Sequence, residues 1–338
     1  MKYTIEEYVL NEYNASSKAR KDVSYFILNN GFCSIGQNDK RNIKNNAFAK
    51  SLLALKLYIK ILFTLKKDDV LFLQTSTKVL KPFLLIKRLR SFKIIYLIHD
   101  MFSLRFSQKE SIAKHQLEIK NDIHLMSQCD YVIAHNPTMI ERLRTFGCTA
   151  KLFSLDIFDY HTQYPAPRRT HKDGDKWYIS FAGHLPKSQF LHTLDETLHS
   201  LQLIIYGGPA EHFKHAQYKG TVDAELLPST IEGHFGLIWE GAYYPEKEDN
   251  YTCINNPHKM SMYIVAGLPI ICWKKSAAAQ FVEAHGIGFA IESLDEIEKA
   301  ISMIDQPAYE QMVQNCIDLR MSLIEGKHIE HVINNIVL

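Results

Sequence analysis

Two segments in the second half of the sequence place a lysine where a phosphate group could bind. Gly183–Ser188 (GHLPKS) follows an apolar run and precedes an amphipathic one, which puts Lys187 near the N-terminus of a predicted helix. Asn255–Lys259 (NNPHK) offers an asparagine that can cap a helix and a proline suited to its first turn, with Lys259 following within that turn. Helix N-termini attract anions through their free N–H groups and the helix dipole. An ordinary β–α turn and a solvated surface lysine remain the alternatives.

His99 and Asp100 form a candidate acid–base pair. They directly follow the apolar run KIIYLI, so both side chains emerge at the carboxyl end of a predicted strand. A hydroxyl group that attacks an electrophilic carbon needs a general base, and a carboxylate or an imidazole can serve. An aspartate after a strand is also a common loop cap, so the pair could line a site without moving a proton.

The elements that must position these residues alternate regularly. Short apolar runs alternate with longer segments of helical periodicity, which is typical of β–α–β units and parallel sheets. Predicted strands in the first half are 2–9, 70–74, 93–98, 131–134 and 151–154, with helices near 17–29, 47–65, 78–90, 109–127 and 138–146. In the second half the strands are 177–182, 201–206, 235–239, 268–273 and 288–291, with helices near 187–198, 257–266, 276–285, 293–304 and 307–337.

We therefore predict an α/β fold of two Rossmann-like, doubly wound domains with a cleft between them. A chain of 338 residues is expected to form two domains. The polar stretch 161–176 contains two prolines and no apolar periodicity, which indicates a linker between a first domain (1–160) and a second domain (177–319). In such sheets ligands bind at the carboxyl ends of the strands, where the candidate residues lie.

Composition and motifs exclude several function classes. The formal net charge of +2 is small for a dedicated nucleic-acid binder. The sequence has no G-x-G-x-x-G and no G-x-x-x-x-G-K-[ST], which disfavours dinucleotide oxidoreductases and P-loop ATPases. The N-terminus MKYTIEEYVL does not resemble a signal peptide, and no apolar run approaches the ~20 residues of a membrane span, so we expect a cytoplasmic protein. Six cysteines without a C-x-x-C pair predict buried, reduced thiols.

Residues 78–93 (KVLKPFLLIKRLRSFK) combine six basic residues with many apolar ones. They could form a patch that touches the anionic inner leaflet of the cell membrane, which would suit a lipid-linked substrate. They could equally form a core-packed helix with a solvated basic face. The sequence leaves both interpretations open.

A set of motifs at the predicted strand ends resembles the bacterial galactofuranosyltransferases of O-antigen and capsule assembly. More distantly, the chain is similar to the accessory glucosyltransferases that extend glycans on serine-rich adhesins. The motifs keep their order over nearly the whole chain, and the resemblance fades in the linker and around 36–50 and 209–232. The set is specific although no single motif is; its members are Lys18–Asp22, Leu97–Asp100, Ala134–Pro137, Ile157–Tyr160, Phe235–Gly241 and Asn255–Lys259.

This resemblance implies a GT-B fold and an inverting glycosyltransferase that uses a UDP-sugar and needs neither a metal ion nor another cofactor. Lys187 and Lys259 would contact the diphosphate, and Tyr206 would lie near the uracil or ribose. The residues that would reach the donor from the first domain are Ser16, Ser17, Lys18 and Arg20. Further residues expected at the site are Gly183, Gly207, Glu240, Asn255 and Asn256. The last helix, about 320–338, would pack back onto the first domain.

Two patterns familiar from other glycosyltransferases are discounted. Asp173-Gly-Asp175 has the D-x-D spacing of a manganese site but precedes a predicted strand instead of following one. Glu240 and Glu248 are spaced like the glutamate pair of many two-domain glycosyltransferases, but the residues between them do not resemble a helix entry. We predict no metal site and keep only Glu240, at a strand end, as a residue that could line the cleft.

The expected activity is hexose transfer, with galactofuranose favoured, from a UDP-sugar to a glycan acceptor in cell-surface polysaccharide synthesis. The alternatives are a UDP-glucose-dependent enzyme that extends a protein- or lipid-linked glycan, and a non-catalytic GT-B-like partner subunit. No nucleic-acid partner is expected. The acceptor, the linkage and the oligomeric state, a homo-oligomer included, stay open.

Overall fold

The structure is a computed structural model that describes residues 1–8, 15–39, 47–105, 112–164, 166–170, 176–240 and 251–336. The strands within them are β1 Lys2–Tyr8, β2 Cys33–Asp39, β3 Val70–Leu73, β4 Lys93–Leu97, β5 Tyr131–Ala134, β6 Lys151–Ser154, β7 Trp177–His184, β8 Leu201–Gly208, β9 Gln217–Gly220, β10 Phe235–Ile238, β11 Ile270–Trp273 and β12 Gly288–Ile291. The helices are α1 Ala15–Asn29, α2 Ala47–Thr64, α3 Leu80–Arg90, α4 Phe102–Arg105, α5 Ile112–Met126, α6 Pro137–Thr145, α7 Phe190–Thr197, α8 Leu227–Thr230, α9 His258–Val265, α10 Ala277–Ala284, α11 Ile297–Ser302, α12 Gln306–Ile324 and α13 Lys327–Asn335.

The chain forms two compact units. The first consists of the described residues of Met1–Glu12, Ser16–Phe158 and Lys327–Leu338, and the second of the described residues of Tyr13–Ala15 and Asp159–Gly326. The chain therefore leaves the first unit after Phe158 and returns to it at Lys327. The described residues of the expected linker, 161–164, 166–170 and 176, belong to the second unit, as does the segment 320–326 that was expected to begin the returning helix.

The first unit is built on a parallel sheet in the order β2-β1-β3-β4-β5-β6. Its central strands β3 and β5 are buried along their whole length, as the continuous apolar runs predict for strands covered on both faces. Helix α13 contributes Ile329, Val332 and Ile333 to the core that also contains Val23 and Phe26 of α1.

The second unit repeats this architecture with a parallel sheet in the order β12-β11-β10-β7-β8-β9. Its core includes Phe181 of β7, Phe235 of β10 and Tyr309 of α12. The two doubly wound α/β units that the periodicity predicted are thus confirmed.

The predictions missed β2 and β9, which lie at edges of their sheets. Their sequences, CSIGQND and QYKG, are largely polar, which an edge strand tolerates because it is not enclosed on both faces. The short helices α4 and α8 were also missed. The final segment predicted to be helical, 307–337, is helical as α12 and α13, with an interruption after Ile324 at Gly326, whose φ of 75° suits glycine.

The expectation of buried thiols holds for four of the six cysteines. All six are free, and Cys129, Cys148, Cys272 and Cys316 are buried, whereas Cys33 is exposed and Cys253 is half-buried. Burial raises the pKa of Cys129 and of Cys272 to about 12, so these thiols stay protonated.

Candidate active site

A cavity opens at the carboxyl end of the second sheet, beside the start of α9. It encloses about 470 Å³, including the part that is open to solvent. Three residues predicted for the site, Glu240, Asn255 and Lys259, line it. The other lining residues are Ile238, Trp239, Thr252, Pro257, Trp273, Ser276 and Ala278. A cavity of this kind, apolar with a few polar groups, is typical of small-molecule sites.

Lys259, in the segment Asn255–Lys259, lies close to the start of the other lysine-bearing segment, Gly183–Ser188. It lies in the first turn of α9, and its Nζ is 4.4 Å from the centroid of the Phe181 ring in β7. A Cβ atom added at Gly183 would lie 3.5 Å from the same Nζ and 3.0 Å from the Phe181 ring. The ring face attracts the ammonium group, and glycine at 183 leaves room for both. The ammonium group of Lys259 and the N-terminal end of α9 thus lie together, and both attract an anion.

The N-cap of α9 is Pro257, without a side-chain hydrogen bond, so the expected asparagine cap is wrong. Asn255 and Asn256 are both buried just before the helix. Of these two, Asn255 lines the cavity.

Gly183 and Gly207 face each other across the β7–β8 pair. Gly207 has a φ of 132°, and a Cβ atom there would lie 1.8 Å from the carbonyl oxygen of Gly183. Only glycine fits this position without moving the backbone of β7. The backbone at this strand end is therefore closely packed, and the predicted contact of Gly183 and Gly207 with a ligand stays a prediction.

Tyr263 fixes α9 against the sheet, and the sequence reading did not find it. Its buried hydroxyl oxygen accepts a hydrogen bond of 2.9 Å from the backbone N–H of Ala182, and it lies 3.3 Å from the carbonyl oxygens of Ser180 and Leu237. Burial raises the pKa of this phenol, so it remains a donor. Lys259 and Tyr263 are four residues apart and share a helix face, so Tyr263 holds the face of α9 that carries Lys259 against the sheet.

Two other predicted residues of the second unit lie outside the cavity lining. Tyr206 is buried, and its hydroxyl oxygen accepts a hydrogen bond of 2.9 Å from the backbone N–H of Glu232. Burial raises its pKa. Lys187 is exposed in a short 3-10 helix, Leu185–Lys187, directly after β7. Their contacts with a nucleotide remain predictions.

The first unit collects buried polar side chains at the carboxyl ends of its strands. Gln74 follows β3, and its amide nitrogen donates to Ser24 Oγ at 2.8 Å and to the carbonyl oxygen of Arg20 at 3.2 Å. These bonds turn the Gln74 amide oxygen toward His99, whose Nε2 lies 2.8 Å away. Since that oxygen can only accept, His99 carries a proton on Nε2. The His99 ring also stacks on Phe158 at a centroid distance of 5.4 Å.

A second histidine, His135, also packs against Phe158. Its ring meets Phe158 edge-on at 5.0 Å, and its Nε2 lies 3.1 Å from the carbonyl oxygen of Ile98. Burial lowers the pKa of His135 to about 4, against the opposing effect of hydrogen bonds to the backbone of Ile98 and His99. His135 is therefore neutral near pH 7. Asp100 is half-buried beside this group.

The predicted donor contacts on α1 are mostly buried. The Nζ of Lys18 lies 2.5 Å from the Oδ1 of Asp22, and both side chains are buried. Ser17 and Arg20 are buried as well. Ser16 belongs to α1, but its side chain lies outside the described residues, as do Asp173, Asp175 and Glu248.

Comparison with known families decides the affiliation. The N-terminal domain model of the glucosyltransferase 3-like family matches residues 2–157, and its C-terminal domain model matches residues 179–336. The chain belongs to the glucosyltransferase 3-like family. Both parts of the resemblance read from the motifs are confirmed by relatives in this group.

Two curated relatives cover most of this family member. It is 28% identical over 258 residues to β-1,6-galactofuranosyltransferase WbbI of Escherichia coli K12, covering 74% of this chain and 73% of the relative. It is 25% identical over 269 residues to Glucosyltransferase 3 of Streptococcus parasanguinis, covering 78% of this chain and 76% of the relative. The chain is thus a glycosyltransferase of this family.

Solved structures confirm the GT-B fold. HepE of Anabaena, crystallised with UDP, aligns with a TM-score of 0.64 at 14% identity and covers 99% of both chains. Sucrose-phosphate synthase of Thermosynechococcus elongatus aligns with a TM-score of 0.64 at 11% identity, covering 99% of this chain and 98% of the synthase. At such identities the likeness concerns the fold alone.

Proposed function

We propose that this chain transfers a hexose from a UDP-sugar to a glycan acceptor, with inversion and without a metal ion. The observation that carries the proposal is the position of Lys259, whose ammonium group lies at the N-terminal turn of α9 and lines the cavity of the second unit. A diphosphate needs positive charge at this point when it leaves the sugar. The fold of HepE, which was solved with UDP, supports a uridine nucleotide as the donor.

The proposed reaction is one direct displacement. The acceptor hydroxyl oxygen bonds to the anomeric carbon while the bond from that carbon to the UDP oxygen breaks, and the electron pair leaves with UDP. Lys259, Lys187 and the N–H groups at the start of α9 stabilise the charge that develops on the diphosphate, which is the part a metal ion plays elsewhere. Asp100 accepts the hydroxyl proton as general base, and His99 lines the acceptor side.

Galactofuranose is the proposed sugar, because WbbI, the relative named for that transfer, is 28% identical over most of its length. Glucose is the second candidate, favoured by the match to Glucosyltransferase 3. The acceptor is proposed to be a growing cell-surface polysaccharide carried on a lipid. A panel of UDP-galactofuranose, UDP-galactopyranose and UDP-glucose, with thermal stabilisation and product formation as readouts, separates the two sugars.

The site assignment is tested with UDP itself. Wild-type protein should show a rise in Tm with UDP that is equal with EDTA and with added manganese, and Lys259→Ala should lose it. Lys299→Ala, an exposed lysine on α11 away from the cavity lining, is the matched control and should keep the full shift. A full UDP shift in Lys259→Ala would rule out this site, and a shift that requires manganese would rule out metal independence.

A further inference from the structure

Helix α2 carries a stripe of exposed apolar side chains. The exposed fractions are 77% for Phe48, 44% for Leu52, 53% for Leu55, 47% for Ile59 and 77% for Phe63. Their spacing of three and four residues places all five along one side of the helix. Scattered apolar residues are normal on a protein surface, but a continuous row of this length marks an interaction surface.

Helix α3 lies beside α2 and extends this surface. The Tyr58 ring of α2 meets the Phe83 ring of α3 edge-on at a centroid distance of 5.3 Å. Four apolar residues of α3, with Phe83 among them, are buried, whereas Leu85 and Leu89 are 59% and 73% exposed. We call the exposed sides of these two helices the α2–α3 face.

The α2–α3 face is strongly basic. Residues 47–93 contain eleven lysines and arginines and two acids, Asp68 and Asp69, whereas the whole chain has 39 basic and 37 acidic residues. The carboxylate of Asp69 forms an ion pair with the N-terminal ammonium group, at 2.5 Å from nitrogen to Oδ1. The exposed cations on or next to the two helices are Lys56, Lys60, Lys66, Lys67, Lys78, Lys81 and Arg88. Of these, Arg88 donates a hydrogen bond to Gln128 Oε1 at 2.8 Å.

This pattern fits the surface of an anionic bilayer. Apolar side chains of an amphipathic helix enter the boundary between headgroups and acyl chains, while the flanking lysines meet lipid phosphates. A symmetric pair of copies would place the same basic face against itself, so lysines would oppose lysines. No helix in the described part of the chain is both long and apolar enough to cross a bilayer, so the contact would be peripheral.

We propose that the α2–α3 face docks the first unit on an anionic lipid membrane. The α2 stripe inserts at the headgroup boundary, and Lys56 and Lys60, which follow it along the helix, bind the phosphates. The α2–α3 face belongs to the first unit and the donor cavity to the second, so the docking goes beyond the proposed transfer and does not depend on which sugar is moved. It would bring a lipid-linked acceptor close to the enzyme.

Vesicle flotation tests the docking. The full chain should float with vesicles of two parts phosphatidylcholine to one part phosphatidylglycerol. It should not float with vesicles of pure phosphatidylcholine, and high salt should abolish the flotation with the anionic vesicles. Lys56→Gln with Lys60→Gln should weaken binding about thirtyfold, from about 1 kcal/mol for each lysine. Leu55→Gln with Phe63→Gln should weaken it at least ~10-fold, since two inserted apolar side chains are lost.

The matched control is Leu117→Gln with Lys120→Gln on α5, another exposed leucine and lysine of the first unit. This variant should float like the wild type, and all variants should keep the UDP-dependent rise in Tm, which separates a failure of docking from a failure of the donor site. Equal flotation with neutral vesicles, or equal losses in the α5 control, would overturn the proposal. So would α2 variants that dissociate an oligomer in sedimentation but still float, because the face would then be an interface between copies.

Discussion

The two units hold their charged groups in opposite ways. In the second unit the ammonium group of Lys259 lines a cavity, supported by the Phe181 ring and by the start of a helix. In the first unit the ammonium group of Lys18 lies against the buried carboxylate of Asp22, and Gln74 and His99 bond to each other. The second unit is thus prepared for an incoming anion, whereas in the first unit the charge of Lys18 is paired with Asp22, and Gln74 and His99 are held by a hydrogen bond. Differences in how the two respond to mutation and pH should follow.

Loss of the Lys259 charge should have the largest effect. Lys259→Gln is expected to lower kcat by about 100- to 1000-fold, because one preorganised group that stabilises leaving-group charge is worth about 3–4 kcal/mol. Steady-state kinetics with the preferred UDP-sugar measure this, with Lys299→Gln as the control. A decrease of less than ~3-fold would place the leaving-group stabilisation elsewhere and remove the contrast between the units.

Acid should act on the first unit through His135. The pKa of this imidazole is about 4 in the folded state against 6.5 for an ordinary histidine. Between these two pH values, the histidine is protonated in the unfolded chain but remains neutral in the folded protein. The contribution of neutral His135 to the free energy of unfolding is therefore fully present above pH 6.5. It falls by about 3 kcal/mol as the pH drops to about 4.

Urea titrations across this pH range, followed by a probe in the first unit, measure the loss. His135→Gln should remove this part of the pH dependence, whereas His285→Gln, an exposed histidine of the second unit, should leave it unchanged. An unaltered slope in His135→Gln would show that the acid sensitivity arises elsewhere.

The support under Lys259 is tested by Tyr263→Phe. This change leaves the buried N–H of Ala182 without its partner and should cost about 1–2 kcal/mol of stability. Because α9 loses its anchor, KM for the donor should rise too. Tyr309→Phe, which removes the hydroxyl that donates to the carbonyl oxygen of His234, is the control and should lower Tm with no change in KM. If both variants leave KM unaltered, Tyr263 only stabilises the fold.

The smallest effect is expected at Lys187. Its side chain is exposed, so water and salt screen its attraction for a diphosphate. Lys187→Gln should raise KM about fivefold, equal to about 1 kcal/mol, and the difference should shrink as ionic strength increases. An effect as large as that of Lys259→Gln would mean that the second unit uses two equivalent cations.

The sequence predicted the fold well where burial is strong. Continuous apolar runs such as Val70–Leu73 and Tyr131–Ala134 identify strands covered on both faces, and the rule that ligands bind at strand ends led to Gly183, Lys259 and His99. The edge strands β2 and β9 give no such signal, because their sequences are largely polar, unlike those of the other edge strands β6 and β12.

Gln74 and Tyr263 were missed for a different reason. Gln74 ends the apolar stretch VLFLQ, and Tyr263 lies within SMYIV. In a sequence, a polar group in such a stretch is easily taken for part of the core. Their importance comes from partners far along the chain: Gln74 bonds to Ser24 and His99, and Tyr263 to Ala182. Only the folded chain brings these atoms together. Gln74 could have been suspected from its position directly after a buried strand.

The return of α13 to the first unit has a consequence for how the protein is made. Ile329, Val332, Ile333 and Ile336 complete a core whose other residues are translated much earlier. During synthesis, the apolar surface of the first unit that α13 covers therefore stays exposed until nearly all of the second unit has been translated. A fragment of residues 1–158 would keep that surface uncovered permanently and should aggregate, whereas the same fragment supplied with a peptide of residues 326–338 could complete its core.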